Sequence, residues 1–357
     1  MSSTFHCGNI SLSLFGQSHG EAVGMVLDGL PAGEAISLEE LHQFMQKRSP
    51  GKENTSARQE TDLPRILSGV KNGVTCGAPL CIMIENTDCR SKDYSDTRFV
   101  PRPSHADYPA FIKHHGMEDY AGGGHFSARM TAPMCACGGI LLQLLARRNI
   151  FIGGHIAQIF DIQDDRWDGL NISKADFDMI EQNPLPVLNL SNGMQMVQAV
   201  KKAKKEGDSV GGMIECAVLG LPVGIGEPLF DGLENKIAQA MFAIPAVKGI
   251  SFGDGFGVCQ KKGSQHNDPY KMVNGHPTLC KNDAGGILGG LSTGAPLTVQ
   301  VAFKPTPSIA IPQQSINLQT RTDCELLTKG RHDPCIVLRA LPIVMSQLAL
   351  SVAGFVL

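Results

Sequence analysis

Aromatic residues make up only 6% of this 357-residue chain, with a single tryptophan, and charged residues only 18%. So sparse a charge, with a formal net of −3, supplies no basic face for nucleic acid or for an anionic membrane surface. No apolar run in the sequence approaches the ~18 residues needed to cross a bilayer. The N-terminal stretch MSSTFHCGNISLSL lacks the basic start and continuous apolar core of a secretory signal. Neither nucleic acid nor a membrane is therefore expected as a partner, and the expected location is cytoplasmic. The 11 cysteines are an odd number, scattered through apolar stretches such as APLCIMIE and APMCACGGILL. They read as buried thiols of a reducing compartment. Cys135 and Cys137 fall on different sides of a predicted helix, and no second pair stands at zinc spacing, so no metal site is expected.

What is present is apolar bulk and glycine: hydrophobic residues reach 42% and glycines number 40. Strand patterns fall at 22–27, 65–70, 79–85, 211–219, 246–252 and 297–303, and helix patterns at 38–47, 127–148, 193–205, 229–242 and 340–353. They mix without the alternation of a doubly wound sheet, so the fold class is α+β. VGMVLDGLPAG (23–33) is echoed by GGMIECAVLGLPVG (211–224), and GVTCGAPLCIMIENT (73–87) by GGLSTGAPLTVQVAFKPT (289–306), in the same order. That predicts an internal duplication within one folded unit of residues 1–357, with related halves at about 11–150 and 190–357 and sites at their junction. GDGFGV (253–258) follows a strand but precedes no amphipathic helix, so a dinucleotide fingerprint is excluded.

Several stretches combine glycine with charge or histidine in ways a core does not need. In GQSHG, His19 lies among small residues that let a ligand approach, and an imidazole titrating near neutrality suits a general acid. The same stretch fits equally a histidine that completes a turn. In RPSHADY, His105 precedes Asp107, which is expected to cap the following helix, the alternative being that it acts on a nearby histidine. GGGHFSAR carries three glycines towards the start of a long apolar helix, where free N–H groups, Ser127 and Arg129 favour an anion such as phosphate, a helix start without a ligand being nearly as common a reading. Pro133 should kink this helix or confine its regular part to later residues. GRHDPCIVLRA places Asp333 beside an apolar stretch, where a carboxylate can become a proton acceptor. These residues point to an enzyme with an anionic ligand and histidine acid–base chemistry, without fixing a reaction.

Together and in this order, IENTD, HAD, KKEGDSVGG, GGILGGLSTG and GRHDPC resemble the chorismate synthase family over nearly the whole chain from about Phe15. The resemblance implies a β-α-β sandwich, usually a homotetramer. It implies anti-1,4-elimination of phosphate from 5-enolpyruvylshikimate 3-phosphate to give chorismate, with reduced FMN required. By the same resemblance His19 donates a proton to the departing phosphate and His105 protonates the reduced flavin. Asp333 helps the flavin take up the substrate C6 proton, and Arg48, Arg129 and Arg339 clamp substrate anions. The flavin positions are His125, Phe126, Ser127, Pro245, Ala246, Gly289, Lys304, Pro305, Thr306, Pro307, Ser308 and Arg331.

The chain departs from the family pattern at Gln17 (for Glu), at Ser104 (for Gly), and at His125 and Phe126 (for Arg and Ser). Ser49, Asn54 and Met134 stand where arginines are expected. The thinned arginines weigh against NADPH use and predict reliance on an external source of reduced flavin. They also leave a second reading open, a diverged flavin-binding relative that has lost the elimination. A third is an unrelated phosphate-ester lyase or transferase without flavin.

Overall fold

A computed structural model describes residues 3–49, 62–87, 98–328 and 333–357. In the first half lie β1 (Thr4–Cys7), β2 (Ile10–Gly16), β3 (Ala22–Asp28), α1 (Leu38–Arg48), β4 (Arg65–Ser68), the small pair β5 (Val70–Lys71) and β6 (Val74–Thr75), and β7 (Leu80–Glu85). After α2 (Asp107–Lys113) and α3 (Thr131–Ala146) come β8 (Phe151–Ile159), β9 (Ile162–Gln163), α4 (Lys174–Gln182), α5 (Leu190–Lys205) and β10 (Gly212–Leu219). The remainder holds α6 (Leu233–Phe242), β11 (Val247–Phe252), α7 (Gly263–His266), β12 (Tyr270–Val273), β13 (His276–Leu279), β14 (Ile287–Leu288), β15 (Leu291–Ser292), β16 (Leu297–Phe303), β17 (Gln313–Asn317), β18 (Thr322–Leu326) and α8 (Leu341–Val356).

Two five-stranded sheets dominate the described residues, in the orders β1-β2-β3-β7-β4 and β11-β16-β10-β8-β9. Every pairing in both is antiparallel. Helices α3 and α8 lie against strands of both sheets and against each other, which makes a sheet–helix–sheet sandwich. The fold is α+β, as the mixed sequence pattern predicts.

The sheets repeat the same local bonds. At the first GLPxG turn the Gly33 N–H donates to Thr75 O (2.8 Å) and the Glu34 N–H to Thr75 Oγ1 (2.9 Å), while that hydroxyl donates to Pro31 O (2.6 Å). At the second, the Gly224 N–H donates to Ser292 O (2.8 Å), the Ile225 N–H to Ser292 Oγ (2.8 Å), and the hydroxyl to Pro222 O (2.5 Å). The second sheet also takes in β8, which lies upstream of residue 190.

The middle layer exists because α3 is apolar on every side, and a helix of that kind must be buried all round. Gly138 lets α8 come close, since a Cβ there would stand 2.2 Å from the Cβ of Ser346. Gly139 similarly admits Leu41 and Phe44 of α1. Pro133 sits in the first turn of α3, where its missing N–H costs little, so the regular helix starts at Thr131 rather than at 127. The expectation that no apolar run reaches membrane-spanning length needs correcting. The 19 residues Ala128–Ala146 pass by length and composition, but 89% of their most apolar window is buried within the protein. All described cysteines are free thiols; Cys7, Cys135, Cys137, Cys216 and Cys335 are buried as expected, whereas Cys76, Cys259 and Cys280 are exposed.

The second sheet also buries a charged cluster that the sequence did not announce. His155 on β8 has no solvent exposure, its Nδ1 donates to Asp164 Oδ2 (3.0 Å) and its Nε2 donates to Glu215 Oε2 (2.8 Å). An imidazole that donates from both nitrogens carries a positive charge. Burial alone would lower its pKa, but the hydrogen bonds to Asp164 and Glu215 outweigh burial and hold it above the usual histidine value. Burial would likewise raise both carboxylates, and the bonds from His155 hold them low instead. Asp164 further accepts the Leu188 and Asn189 N–H groups (2.6 and 3.0 Å), which ties the approach to α5 to the sheet.

Replacing His155 by Gln strands two buried carboxylates and should cost about 3–5 kcal/mol in urea unfolding. The imidazolium contribution is whole below the unfolded histidine value and is lost as pH rises through the raised folded one. The carboxylate contribution is whole above their unfolded values and is lost as pH falls through the lowered ones. The gap between wild type and His155→Gln should therefore be widest at roughly pH 5–6.5 and narrow on either side.

Candidate active site

The GGGHFSAR stretch collects the candidate residues, though by a route the sequence did not suggest. Gly122, Gly123 and Gly124 have φ values of 60°, 85° and 52°, the left-handed region that glycine enters without penalty. They form a tight turn ahead of the helix and not its first turn. The missing side chains leave room for imidazoles. A Cβ on Gly122 would stand 2.1 Å from His19 Cε1, and one on Gly123 would stand 2.9 Å from His105 Cε1. Two histidines 86 positions apart thus pack on consecutive glycines.

Each imidazole is anchored from behind. The Ser18 N–H donates to Gly124 O (3.2 Å) and its hydroxyl to Ala121 O (3.0 Å). With that proton committed, Ser18 Oγ accepts from His19 Nδ1 (3.1 Å). His105 Nδ1 bonds Asp107 Oδ1 (2.5 Å), and Asp107 also receives Arg102 through its backbone N–H (3.0 Å), Nε (2.8 Å) and Nη2 (2.9 Å). The expectation that Asp107 caps α2 is corrected, because that helix has no side-chain cap and the carboxylate is turned onto Arg102 and His105. Burial alone would raise the Asp107 carboxyl, but the hydrogen bonds from Arg102 and then His105 win and hold it well below the usual range.

Beside this turn opens a cavity of about 890 Å³, a size that suits a cofactor or small substrate. His105 and Gly122 line it, as do His125, Phe126 and Ser127. From the other half come Pro245 and Ala246, and then Lys304, Thr306, Pro307 and Ser308. Pro305 lies on the same segment without lining the cavity. Gly289 sits apart in the β14–β15 turn at φ 62°, and Arg331 lies outside the described residues, as does Asn54. His125 lines the cavity, but its Nδ1 donates to Gly16 O (2.8 Å) and its Nε2 shares a hydrogen bond with the Ser3 hydroxyl (2.7 Å). It braces β1 and β2 against the glycine turn.

The electrostatics of the cavity wall favour an anion. Lys304 and Lys248 both line it, and burial, then the Lys248 charge, hold the Lys304 ammonium below the usual lysine range. Lys304 Nζ donates to Ser104 O, and Ser104 itself has a φ of 58°, a backbone that glycine adopts at lower cost. Two polar atoms lining the cavity are buried without any partner: Thr306 Oγ1 and Gln347 Nε2. Since buried polar groups are nearly always bonded, both are available to a ligand.

The arginines form two further clusters next to this region. Arg48 and Arg129, both fully buried, grip Asp62 from its two oxygens. Arg129 also bonds Asn86 Oδ1 (2.8 Å), and Arg48 bonds Thr131 Oγ1 (3.0 Å). Burial would raise the Asp62 carboxyl, but the Arg48 and Arg129 charges hold it low. Ser49, standing where an arginine was expected, donates to Asp62 Oδ2 (3.2 Å). Arg339 is paired with Asp333 (2.6 Å). Asp62, Ser18, Arg102 and Gln347 were not singled out from the sequence.

Comparison with known proteins bears on the chain as a whole. The sequence model of the chorismate synthase family matches residues 10–357. Chorismate synthase of Korarchaeum cryptofilum is 42% identical over 349 residues, covering 98% of this chain and 96% of its own. That of Dehalococcoides mccartyi is 43% identical over 347 residues, covering 97% and 94%. A crystal structure of chorismate synthase superposes with a TM-score of 0.77 at 25% identity, covering 98% of this chain and 92% of that one. The sandwich is thus that of an enzyme of chorismate biosynthesis. The chain belongs to the chorismate synthase family.

Asp107→Asn should loosen His105 and lower stability. Because a depressed carboxyl stabilises above its unfolded value and loses that contribution as pH falls through the folded one, the deficit should be full at neutral pH. It should shrink below about pH 4, which thermal melts across pH would show.

Proposed function

We propose that the chain eliminates phosphate in an anti-1,4 sense from 5-enolpyruvylshikimate 3-phosphate, giving chorismate, with reduced FMN in the cavity. The observation that carries this reading is the convergence of His19 and His105 on the glycine turn beside a cavity with cationic residues in its wall. The residues fit the cofactor: an orphaned Thr306 hydroxyl, the Lys304 and Lys248 ammoniums and an apolar lining suit a phosphorylated planar ring. When bound, reduced FMN supplies electron density transiently as the C–O bond breaks.

His19 holds the proton that a departing phosphate gains, and its Ser18 anchor holds Nδ1 on the Ser18 hydroxyl. His105 stands on the cofactor side, held by Asp107. Asp333 is the carboxylate on the proton-removal side, and Arg339 beside it clamps a substrate anion. Arg48 and Arg129 supply further anion contacts, with Asp62 keeping the pair in register until substrate arrives.

A second reading, a flavin-binding relative without elimination activity, draws on one observation: both of those arginines are already engaged by Asp62. Reduced flavin would come from an external source and not from NADPH at this site. We also propose a homotetramer, for which the exposed Phe230, Leu229, Val223 and Phe256 supply apolar surface, and a cytoplasmic location, in keeping with the free thiols. Small phosphorylated substrate and flavin are the partners; nucleic acid and membrane are not.

The test is anaerobic: purified protein, chemically reduced FMN and 5-enolpyruvylshikimate 3-phosphate, followed by phosphate release and chorismate absorbance. Turnover is expected, with losses of roughly 10²–10⁴-fold in His19→Ala, His105→Ala and Asp333→Asn at preserved folding. Flavin binding without turnover would put the second reading in front, and neither binding nor turnover would reject both.

A further inference from the structure

Gln347 lies on α8 in the core layer, 3% exposed, and its Nε2 is buried with no hydrogen-bond partner. It lines the cavity, whose wall also includes Leu12, Ile336 and Leu350, none of which offers an acceptor from its side chain. A donor so placed has given up its bonds to water without replacement, which destabilises the ligand-free protein. A leucine or methionine would fill the same wall without that cost. A polar group kept at such a position is explained when a ligand completes it.

The chemistry of the wall narrows the ligand. A carboxamide is neutral and presents a donor and an acceptor side by side. Burial at Gln347 would penalise an ion, and the cavity's described cations Lys248, Lys304 and Arg102 lie on other segments, at β11, just after β16 and ahead of α2. A molecule that carries phosphate at one end and a neutral ring with a carbonyl–N–H edge at the other uses both features. We propose that Gln347 is a specificity-determining residue whose carboxamide pairs with the imide edge of the pyrimidine portion of bound flavin. This rests on the flavin reading given above.

The test uses the full-length protein titrated anaerobically with reduced FMN and with reduced N3-methyl-FMN, which lacks the imide N–H, binding being followed by flavin absorbance. Wild type should favour FMN by roughly tenfold, the worth of one well-formed buried hydrogen bond. Gln347→Leu should bind both flavins alike, hold FMN roughly tenfold more weakly than wild type, and melt at a higher temperature when ligand-free. Should Gln347→Leu fail to fold, Gln347→Met is close to glutamine in length and keeps the comparison. An unchanged preference for FMN in the variant, or a lower ligand-free melting temperature, would overturn the assignment while leaving flavin binding intact. Wild-type protein that binds neither flavin would overturn both the assignment and the reading beneath it.

Discussion

Three consecutive glycines in left-handed backbone, Gly122 to Gly124, are the constraint on which the candidate site depends. They bring the chain back over Ser18 and Arg102 so closely that no side chain fits, and the imidazoles of His19 and His105 occupy the space. Gly124 adds a second requirement, because a Cβ there would stand 2.0 Å from the carbonyl oxygen of Asp119. His125, the next residue, then pins the turn to the end of β2 through Gly16. One short segment thus positions both histidines and forms part of the cavity wall.

That segment is held in turn by the helix layer behind it. Arg129 and Thr131 stand at the junction of the turn and α3, bonded into the Asp62 cluster and to Arg48 on α1. Behind them α3 and α8 approach at Gly138 and Ser346, closer than any larger residue would allow. The site therefore draws its rigidity from a buried layer rather than from surface loops, the condition under which catalytic groups keep their geometry. The same layer carries Gln347, the one side chain of that helix pair left with an orphaned donor at the cavity.

Much of this was legible in the sequence. β16 has the bounds its alternating apolar pattern gives, β3 runs one residue further, and α1, α3, α6 and α8 fall on their helical patterns with ends displaced by a few residues. Strands β1, β2 and β8 were not read: β8, FIGGHIAQI, interrupts its apolar run with two glycines and a histidine that is satisfied only by Asp164 and Glu215 far along the chain. Local pattern cannot show such partners. Asp107 read as a helix cap because it opens a helical pattern, when Arg102 five residues earlier claims its carboxylate. The glycine turn read as an anion cradle because nothing in GGGHFSAR reveals that two distant rings pack on it.

The most direct measurement on the central claim is the turnover of Gly122→Ala with 5-enolpyruvylshikimate 3-phosphate and reduced FMN, taken alongside its melting temperature. A methyl at that position would overlap the His19 ring, 2.1 Å from Cε1. Displacing the ring by about 1 Å should cost roughly a hundredfold in rate while the fold survives. Near-wild-type turnover in a folded Gly122→Ala protein would mean that His19 does not work from the place the glycine turn gives it.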